Sequence, residues 1–183
     1  FDSGQVNRVG SASWMVGGKA VNACRAVCHF GGAGKLIHVL GGANGALARA
    51  AIEEEGLEQL VTEVGVSTRI CTTLLASGQM ATELVEESSP IDEAALSQAL
   101  LSVTEQLPSS RSLCLSGSVP AGTPATVYAE LIRSASKLSV PTVVDAQGDL
   151  LLEALTTRPF MVKPNLEEVC RTLDWPASDN SVD

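Results

Sequence analysis

The sequence predicts an α/β domain in which helices cover both faces of a mostly parallel sheet, with a small antiparallel β-lid. Short apolar strand segments alternate with amphipathic helical segments along most of the 183 residues. Hydrophobic residues make up 45% of the chain and aromatic residues 3%, a balance typical of small aliphatic side chains packed between helices and a parallel sheet. One stretch rich in Thr and Val interrupts the alternation and predicts the lid.

The first α/β repeat begins after two adjacent glycines. Apolar residues after Gly18 recur at helical spacing, which predicts a helix over 19–30 that ends at the next glycine pair. The apolar run KLIHVL predicts a strand over 35–40. The following segment predicts a helix with Asn44 near its start and Gly56 just past its end.

The lid is predicted from segments that carry a strand pattern but no helical spacing. Residues 60–64, 67–76 and 80–86 partly alternate and predict an antiparallel meander with a turn over 77–79. The N-terminal segment contains VNRV, which is too polar for a buried central strand and is expected to pair with the meander. We therefore assign 1–13 and 60–87 to the β-lid, and 14–59 and 88–183 to the α/β core.

The α/β alternation returns after Pro90. Asp92 is expected to cap a helix that runs to about residue 107. The pattern then predicts strand 111–116, helix 124–138 with Thr123 as N-cap and Pro124 at its first position, strand 141–146, helix 148–156, strand 160–163 and helix 166–174. Strands that alternate with helices favour parallel pairing through right-handed crossovers.

Composition excludes several classes of function. Lys and Arg total 12 against 21 Asp and Glu, a net charge of −9 without any basic run, which argues against nucleic-acid binding. The apolar runs are far shorter than the ~20 residues of a membrane span, and no signal segment opens the chain, so we expect a cytoplasmic protein. The five cysteines lack metal or disulfide spacing. Because the chain starts at Phe1 without a methionine, we expect an internal piece of a longer protein.

Small and polar residues follow each predicted core strand. They occur in GGANG at 41–45, SGSVPAG at 116–122, DAQGD at 145–149 and KPNLEE at 163–168. Ligands of open parallel sheets bind outside the carboxyl ends of the strands, so this clustering predicts a site at that edge. Taken singly, each glycine is equally consistent with an ordinary turn.

Gly17, Gly18 and Lys19 stand directly before the first predicted helix and predict an anion site. A helix N-terminus offers unpaired N–H groups and partial positive charge, glycines allow close approach of a ligand, and Lys19 adds a full charge. Asn22, one turn further on, can hydrogen-bond sugar hydroxyls through both amide atoms. The alternative is an exposed lysine and an asparagine with no role in binding.

Two familiar phosphate motifs are absent. GGAGKL at 31–36 lacks the first glycine and the Ser/Thr of a P-loop and precedes a strand, whereas a P-loop precedes a helix. GGANGA at 41–46 lies between a strand and a helix but does not match G-x-G-x-x-G. Dinucleotide binding therefore stays a weaker alternative.

The glycines and the lysine also form part of a longer pattern, which resembles the phosphofructokinase B branch of the ribokinase-like sugar kinases, especially fructose-1-phosphate and tagatose-6-phosphate kinases. The first family signature is G-G-K-G-x-N, followed by a small residue and two spaced glycines. The sequence carries it as Gly17, Gly18, Lys19, Ala20, Asn22, Cys24, Gly31 and Gly41. The segments TR at 68–69, TELVEESSPI, LSGSVPAG and KPNLEE are similar too, in the same order, so the resemblance spans nearly the whole chain.

The resemblance implies a three-layer, Rossmann-like α/β fold closed by a β-lid. It also implies ATP-dependent phosphorylation of a hydroxyl on a phosphorylated ketohexose, of the fructose 1-phosphate or tagatose 6-phosphate type, with Mg²⁺. The implied sugar-binding residues are Gly17, Gly18, Lys19 and Asn22. The implied contacts to the sugar phosphate are Arg69 on the lid and the loop Ser116, Gly117 and Ser118.

The resemblance further implies that Lys163, Asn165 and Glu168 face the nucleotide phosphates. It also implies that Glu168 contributes to Mg²⁺ binding without being a direct ligand. Phosphoryl transfer depends mainly on positioning and on neutralising the charge of the phosphate oxygens, which such residues can do. A lid with an exposed apolar face also predicts a homodimer.

The sequence departs from the family pattern in several places. Ala20 replaces a signature glycine, and the first strand of the family, which usually carries a sugar-binding Asp, has no counterpart. The late G-A-G-D signature, whose Asp takes the hydroxyl proton, has no counterpart, so we expect the catalytic Asp beyond residue 183 and assign no catalytic residue in this chain. Cys71 and Thr73 replace a lid Asn and Lys seen in many relatives, so the resemblance does not specify which sugar phosphate is the substrate. A non-catalytic sugar-phosphate-binding or regulatory domain of the same fold is the main alternative.

Overall fold

The computed structural model describes residues 4–76, 78 and 80–176, in which helices and strands alternate. The helices are α1 Lys19–His29, α2 Gly42–Glu54, α3 Glu93–Gln106, α4 Val127–Lys137, α5 Gly148–Leu155 and α6 Leu166–Thr172, with a short 3-10 turn at Leu107–Ser109. The strands are β1 Lys35–Gly41, β2 Glu58–Val64, β3 Cys71–Leu74, β4 Thr82–Val85, β5 Leu113–Ser116, β6 Thr142–Asp145 and β7 Met161–Val162. Over these residues, no helix has the length and apolarity that crossing a membrane would need.

The described strands form two parallel sheets and one antiparallel hairpin. β1 pairs in parallel with β2, and β6 lies between β5 and β7 in a second parallel sheet. β3 and β4 form the antiparallel hairpin. Helix α1 contacts both β1 and β5 and therefore bridges the two parallel sheets. The predicted class, a layered α/β fold with parallel strands and a small antiparallel unit, is confirmed.

Two apolar clusters hold the layers together. The first joins α1, β1 and α2 around Ile52, and the second joins β5, β6, α4 and α5 around Ile132 and Val144. All three side chains are fully buried. Burying an aliphatic side chain stabilises the fold by about 1.5–3 kcal/mol, so these clusters fix the strand ends that carry polar residues.

The structure corrects the predicted meander. Residues 58–64 do not join an antiparallel unit, because all seven pair in parallel register with β1, which places Thr62 in the core opposite Val39. Residues 4–13, expected to pair with the lid, form no strand. Alternating Thr and Val fit either sheet, so tertiary contacts decide the pairing. The division into core and lid stays a prediction. The predicted turn at 77 and 79 lies outside the described residues, as do 1–3 and 177–183.

The structure confirms the predicted start of α3 and corrects the predicted start of α4. Asp92 is the N-cap of α3, as predicted, and its carboxylate accepts a hydrogen bond from the Ala95 backbone N–H at 2.7 Å. The start predicted for α4 is wrong, because the helix begins at Val127 and its N-cap is Thr126. The Thr123 N–H bonds to the Pro120 carbonyl in a preceding turn, which delays the helix by three residues.

Candidate functional site

The start of α1 is open to solvent. Gly18 is the N-cap with φ of 116°, a backbone conformation that favours glycine, and no side chain caps the helix. A Cβ built on Gly17 or Gly18 would meet nothing within 4 Å. The first backbone N–H groups of α1 are therefore accessible, as the predicted anion site requires.

Lys19, the first residue of α1, does not present a free charge. Its Nζ donates to Asp145 Oδ1 at 2.9 Å and also to Glu168 Oε1. Burial would lower the pKa of Lys19, but the hydrogen bonds to Glu168 and Asp145 outweigh it and raise the pKa above its usual value. The lysine therefore stays protonated and joins α1 to the ends of two other elements.

Asp145 lies at the centre of the cluster, although the sequence placed it only among the polar residues that follow a strand and gave it no role in binding or catalysis. It is the last residue of β6 and is buried, and its Oδ2 lies 3.4 Å from Lys163 Nζ and 3.5 Å from the donating Ser116 Oγ. Its backbone carbonyl accepts from the Gly117 N–H at 2.9 Å. The available signal was its position at the end of the apolar strand TVVD, where a carboxylate is costly to bury without partners.

Glu168 is held at the start of α6 by a capping box. The Asn165 side chain accepts from the Glu168 N–H at 2.8 Å, and Glu168 Oε2 accepts from the Asn165 N–H at 3.0 Å. Burial would raise the pKa of Glu168, but the bonds from Lys19 and from the Asn165 backbone lower it. Glu168 is therefore an ionised carboxylate fixed beside Lys19.

Arg69, which precedes β3, and the loop after β5 form another side of the cluster. Arg69 Nη2 donates to Ser118 Oγ at 3.1 Å and is otherwise exposed. Gly117 has φ of 100°, and a Cβ there would lie 3.8 Å from Lys19 Cβ, so this loop runs past the start of α1. The Tyr128 hydroxyl donates to the Gly117 carbonyl at 3.2 Å and supports the loop from below.

The structure brings most of the predicted residues together, but not Asn22. Lys19, Ser116, Lys163 and Glu168 meet at or beside Asp145, as the contacts above describe. The side-chain amide oxygen of Asn22, Oδ1, instead accepts from Arg25 Nη1 at 2.9 Å, and Arg25 is also paired with Glu55. Its predicted role in sugar binding stays a prediction.

The centre of the cluster is balanced in charge. Lys19 and Lys163 are positive, and Asp145 and Glu168 are negative. The exposed guanidinium of Arg69 lies at the rim of this cluster, beside Ser118. Within the part of the chain that the structure describes, no group of three or more His, Cys, Asp or Glu side chains could hold a metal unaided.

The fold and this cluster define a class of protein that the comparisons identify. The profile of the pfkB family carbohydrate kinases matches residues 1–175. The chain belongs to this family. A tagatose-6-phosphate kinase of Staphylococcus epidermidis is 29% identical over 182 residues, which cover 98% of this chain and 58% of that protein. The chain thus spans less than two thirds of the length of this relative.

Solved structures agree on the fold. A chain described as a possible 1-phosphofructokinase from Thermotoga maritima superposes with a TM-score of 0.82 at 20% identity, over 91% of this chain and 55% of that one. Phosphofructokinase-2 from Escherichia coli, solved in complex with fructose-6-phosphate, gives 0.75 at 26% identity, over 96% of this chain and 60% of that one. The ribokinase-like fold predicted from the signature residues is confirmed.

Proposed function

We propose that this chain forms the sugar-phosphate-binding part of an ATP-dependent kinase that phosphorylates a hydroxyl of a phosphorylated ketohexose. The observation that carries the proposal is the convergence of Lys19, Ser116, Lys163 and Glu168, from four separate elements, on the end of β6. Membership of the carbohydrate kinase family supports the reaction class. The name of the Staphylococcus epidermidis relative favours tagatose 6-phosphate as the first substrate to test, with fructose 1-phosphate as the second.

The proposed sugar phosphate binds between the start of α1 and the lid. Gly17 and Gly18 leave room for close approach, and the α1 N–H groups provide positive potential. The charge of Lys19 is balanced by Asp145 and Glu168, so Lys19 contributes a positioned hydrogen-bond donor. Arg69 Nη2 donates to Ser118 Oγ at 3.1 Å, and these two side chains offer donors to the phosphate. Because Arg69 has no carboxylate within salt-bridge distance among the described residues, its charge is available to an anion.

The proposed cofactors are ATP and Mg²⁺. Lys163 is exposed and suits a nucleotide phosphate, and the Glu168 carboxylate is a hard oxygen ligand of the kind that Mg²⁺ prefers. Because Mg²⁺ usually keeps several waters and shares phosphate oxygens, a single carboxylate that acts through water fits this ion. When bound, Mg²⁺ supplies charge neutralisation at the phosphates. Asn165 holds Glu168 in place through the capping box.

Arg69→Ala tests the sugar-phosphate site by calorimetric titration. We expect the variant to bind tagatose 6-phosphate at least tenfold more weakly, because a charge-assisted hydrogen bond contributes about 1.5–3 kcal/mol, and to bind unphosphorylated tagatose unchanged. Arg111→Ala is the matched control, since Arg111 is exposed and lies outside the cluster. Equal effects of Arg69→Ala on both ligands would remove Arg69 from the phosphate contact.

Phosphoryl transfer itself is tested on the longest reading frame that contains this chain. Formation of ADP with tagatose 6-phosphate or fructose 1-phosphate supports the kinase. Sugar-phosphate binding without any ADP formation supports the non-catalytic alternative. Absence of both would overturn the proposal. A cytoplasmic location is part of the same proposal.

We also propose a homodimer formed through the lid. The hairpin β3–β4 and its flanks expose Ile70, Leu75, Leu84 and Val85, a concentration of apolar side chains that a partner subunit would cover. Leu84→Glu should convert a dimer into a monomer in light scattering, whereas Leu47→Glu on α2 should not. A monomeric mass for the unmodified chain would contradict the proposal.

A further inference from the structure

Asp145 lies where α1, the end of β5 and the segment after β7 meet, since its carboxylate contacts Lys19, Ser116 and Lys163. It is not one of the residues of the family signature. It ends β6, where parallel pairing with Ser116 of β5 fixes its backbone. Its side chain is 11% exposed. A carboxylate on a paired strand end has little freedom, so it can serve as a fixed reference point for longer side chains.

The two oxygens of Asp145 face different cations. Oδ1 accepts from Lys19 Nζ at 2.9 Å, and Oδ2 lies 3.4 Å from Lys163 Nζ. Lys19 comes from α1 on the proposed sugar side, and Lys163 follows β7 on the proposed nucleotide side. One carboxylate thus holds an ammonium group from each side.

Asp145 is the one carboxylate that both lysines share, and among the described residues it is the one ion-pair partner of Lys163. Glu168 also accepts from Lys19, but no ion pair joins it to Lys163 among the described residues. The backbone bond from the Gly117 N–H goes to the Asp145 carbonyl and does not depend on its side chain. An amide at this position would keep the strand end and lose the charge that orders the two lysines.

We propose that Asp145 is a positioning residue that holds the Lys19 and Lys163 ammonium groups at the carboxyl edge of the sheet, where both can face one phosphoryl group. This inference rests on the proposed function for its purpose but not for its geometry. Lysine is a long side chain with many rotamers, and pairing with a fixed carboxylate removes most of them. Asp145 thereby orders the two lysine side chains in the absence of ligand.

Amine labelling of the folded chain with acetic anhydride tests the positioning directly. The chain has four lysines, at 19, 35, 137 and 163, so mass spectrometry can follow each one. In Asp145→Asn we expect Lys163 to react roughly threefold faster, the scale of a lost part-exposed ion pair, and Lys19 to react faster by a smaller factor because Glu168 still accepts from it. Lys35 and Lys137 should be unchanged. Unchanged labelling of Lys19 and Lys163 would overturn the proposal.

Glu58→Gln is the matched control for this experiment. Glu58 pairs with Lys35 at 2.7 Å away from the cluster, so its loss should raise labelling of Lys35 alone. Increased labelling of all four lysines in Asp145→Asn would indicate general loosening of the fold and would also count against a positioning role.

Lys19→Gln keeps the proposal testable if Asp145→Asn fails to fold. Without Lys19, the Asp145 carboxylate serves Lys163 alone, so labelling of Lys163 should slow. A role confined to stabilising the strand end predicts no change at Lys163, and that result would contradict positioning. Circular dichroism of both variants shows whether each is folded.

Ligand binding separates this inference from the proposed function. We expect Asp145→Asn to bind tagatose 6-phosphate roughly tenfold more weakly, because the lysine donors are no longer held in place, while Glu58→Gln binds normally. If the unmodified chain binds neither tagatose 6-phosphate nor ATP, the proposed function fails, whereas the labelling result still decides the positioning of the two lysines.

Discussion

Removing the Lys19 ammonium should lower the free energy of unfolding by more than the loss of an exposed lysine would. The Lys19 side chain is 37% exposed, but the Asp145 and Glu168 side chains are each only 11% exposed. Exposed ion pairs contribute about 0.2–1 kcal/mol, and breaking a buried pair costs about 3–5 kcal/mol. Since one partner is exposed and the other nearly buried, we expect a coupling free energy of about 1–2 kcal/mol between Lys19 and Glu168.

A double-mutant cycle measures this coupling. Lys19→Met, Glu168→Gln and the double variant are unfolded in urea at neutral pH, and the double variant should lose less than the sum of the single losses. The pair Lys35 and Glu58, with side chains 33% and 66% exposed, provides the matched control cycle, for which we expect about 0.2–1 kcal/mol.

The pH dependence gives the coupling a second test. Because the pKa of Glu168 is lowered in the folded chain, its contribution is present above the unfolded pKa of about 4.3 and is lost as pH falls through the lower folded value. The coupling should therefore shrink in acid. A coupling below about 0.5 kcal/mol at neutral pH, or one no larger than that of the control cycle, would refute the reasoning.

Three further predictions concern the fold around the site. Gly41→Ala should destabilise the chain by about 3 kcal/mol or more in urea, because its Cβ would lie 2.1 Å from the Val66 carbonyl oxygen, whereas Ala50→Gly on exposed α2 surface should cost only about 1 kcal/mol. Burial lowers the pKa of His38, so as the pH falls the unfolded chain takes up a proton on this histidine before the folded chain does. The free energy of unfolding should therefore decrease below about pH 6.5, by at most about 1.4 kcal/mol per pH unit. His38→Gln should flatten the curve of melting temperature against pH in that range. Burial also raises the pKa of Tyr128, the single tyrosine, to about 12, so tyrosinate absorbance should appear near that pH in the folded chain and near pH 10 in urea; a midpoint near 10 in both would contradict its burial.

Local signals in the sequence predicted where two of the helices begin. Gly18 before an amphipathic stripe predicted α1 within one residue, and Asp92 predicted the cap of α3, because helix starts are encoded by neighbouring residues. The partner of β2 was not predicted, since Thr and Val alternate similarly in parallel and antiparallel strands. The local pattern predicts that a strand is present but does not predict which strand pairs with it.

The sequence by itself determined the alternation of helices and strands, the glycine-lysine start of α1 and the polar ends of the core strands, because these depend on residues close together in the chain. Only the tertiary structure decided that Lys19, Lys163 and Glu168 meet at Asp145. That meeting requires parallel pairing of β5 and β6 and the docking of α1 across both sheets. Such long-range contacts follow from the packing of buried side chains, and a short motif does not specify which distant residues its side chains will meet.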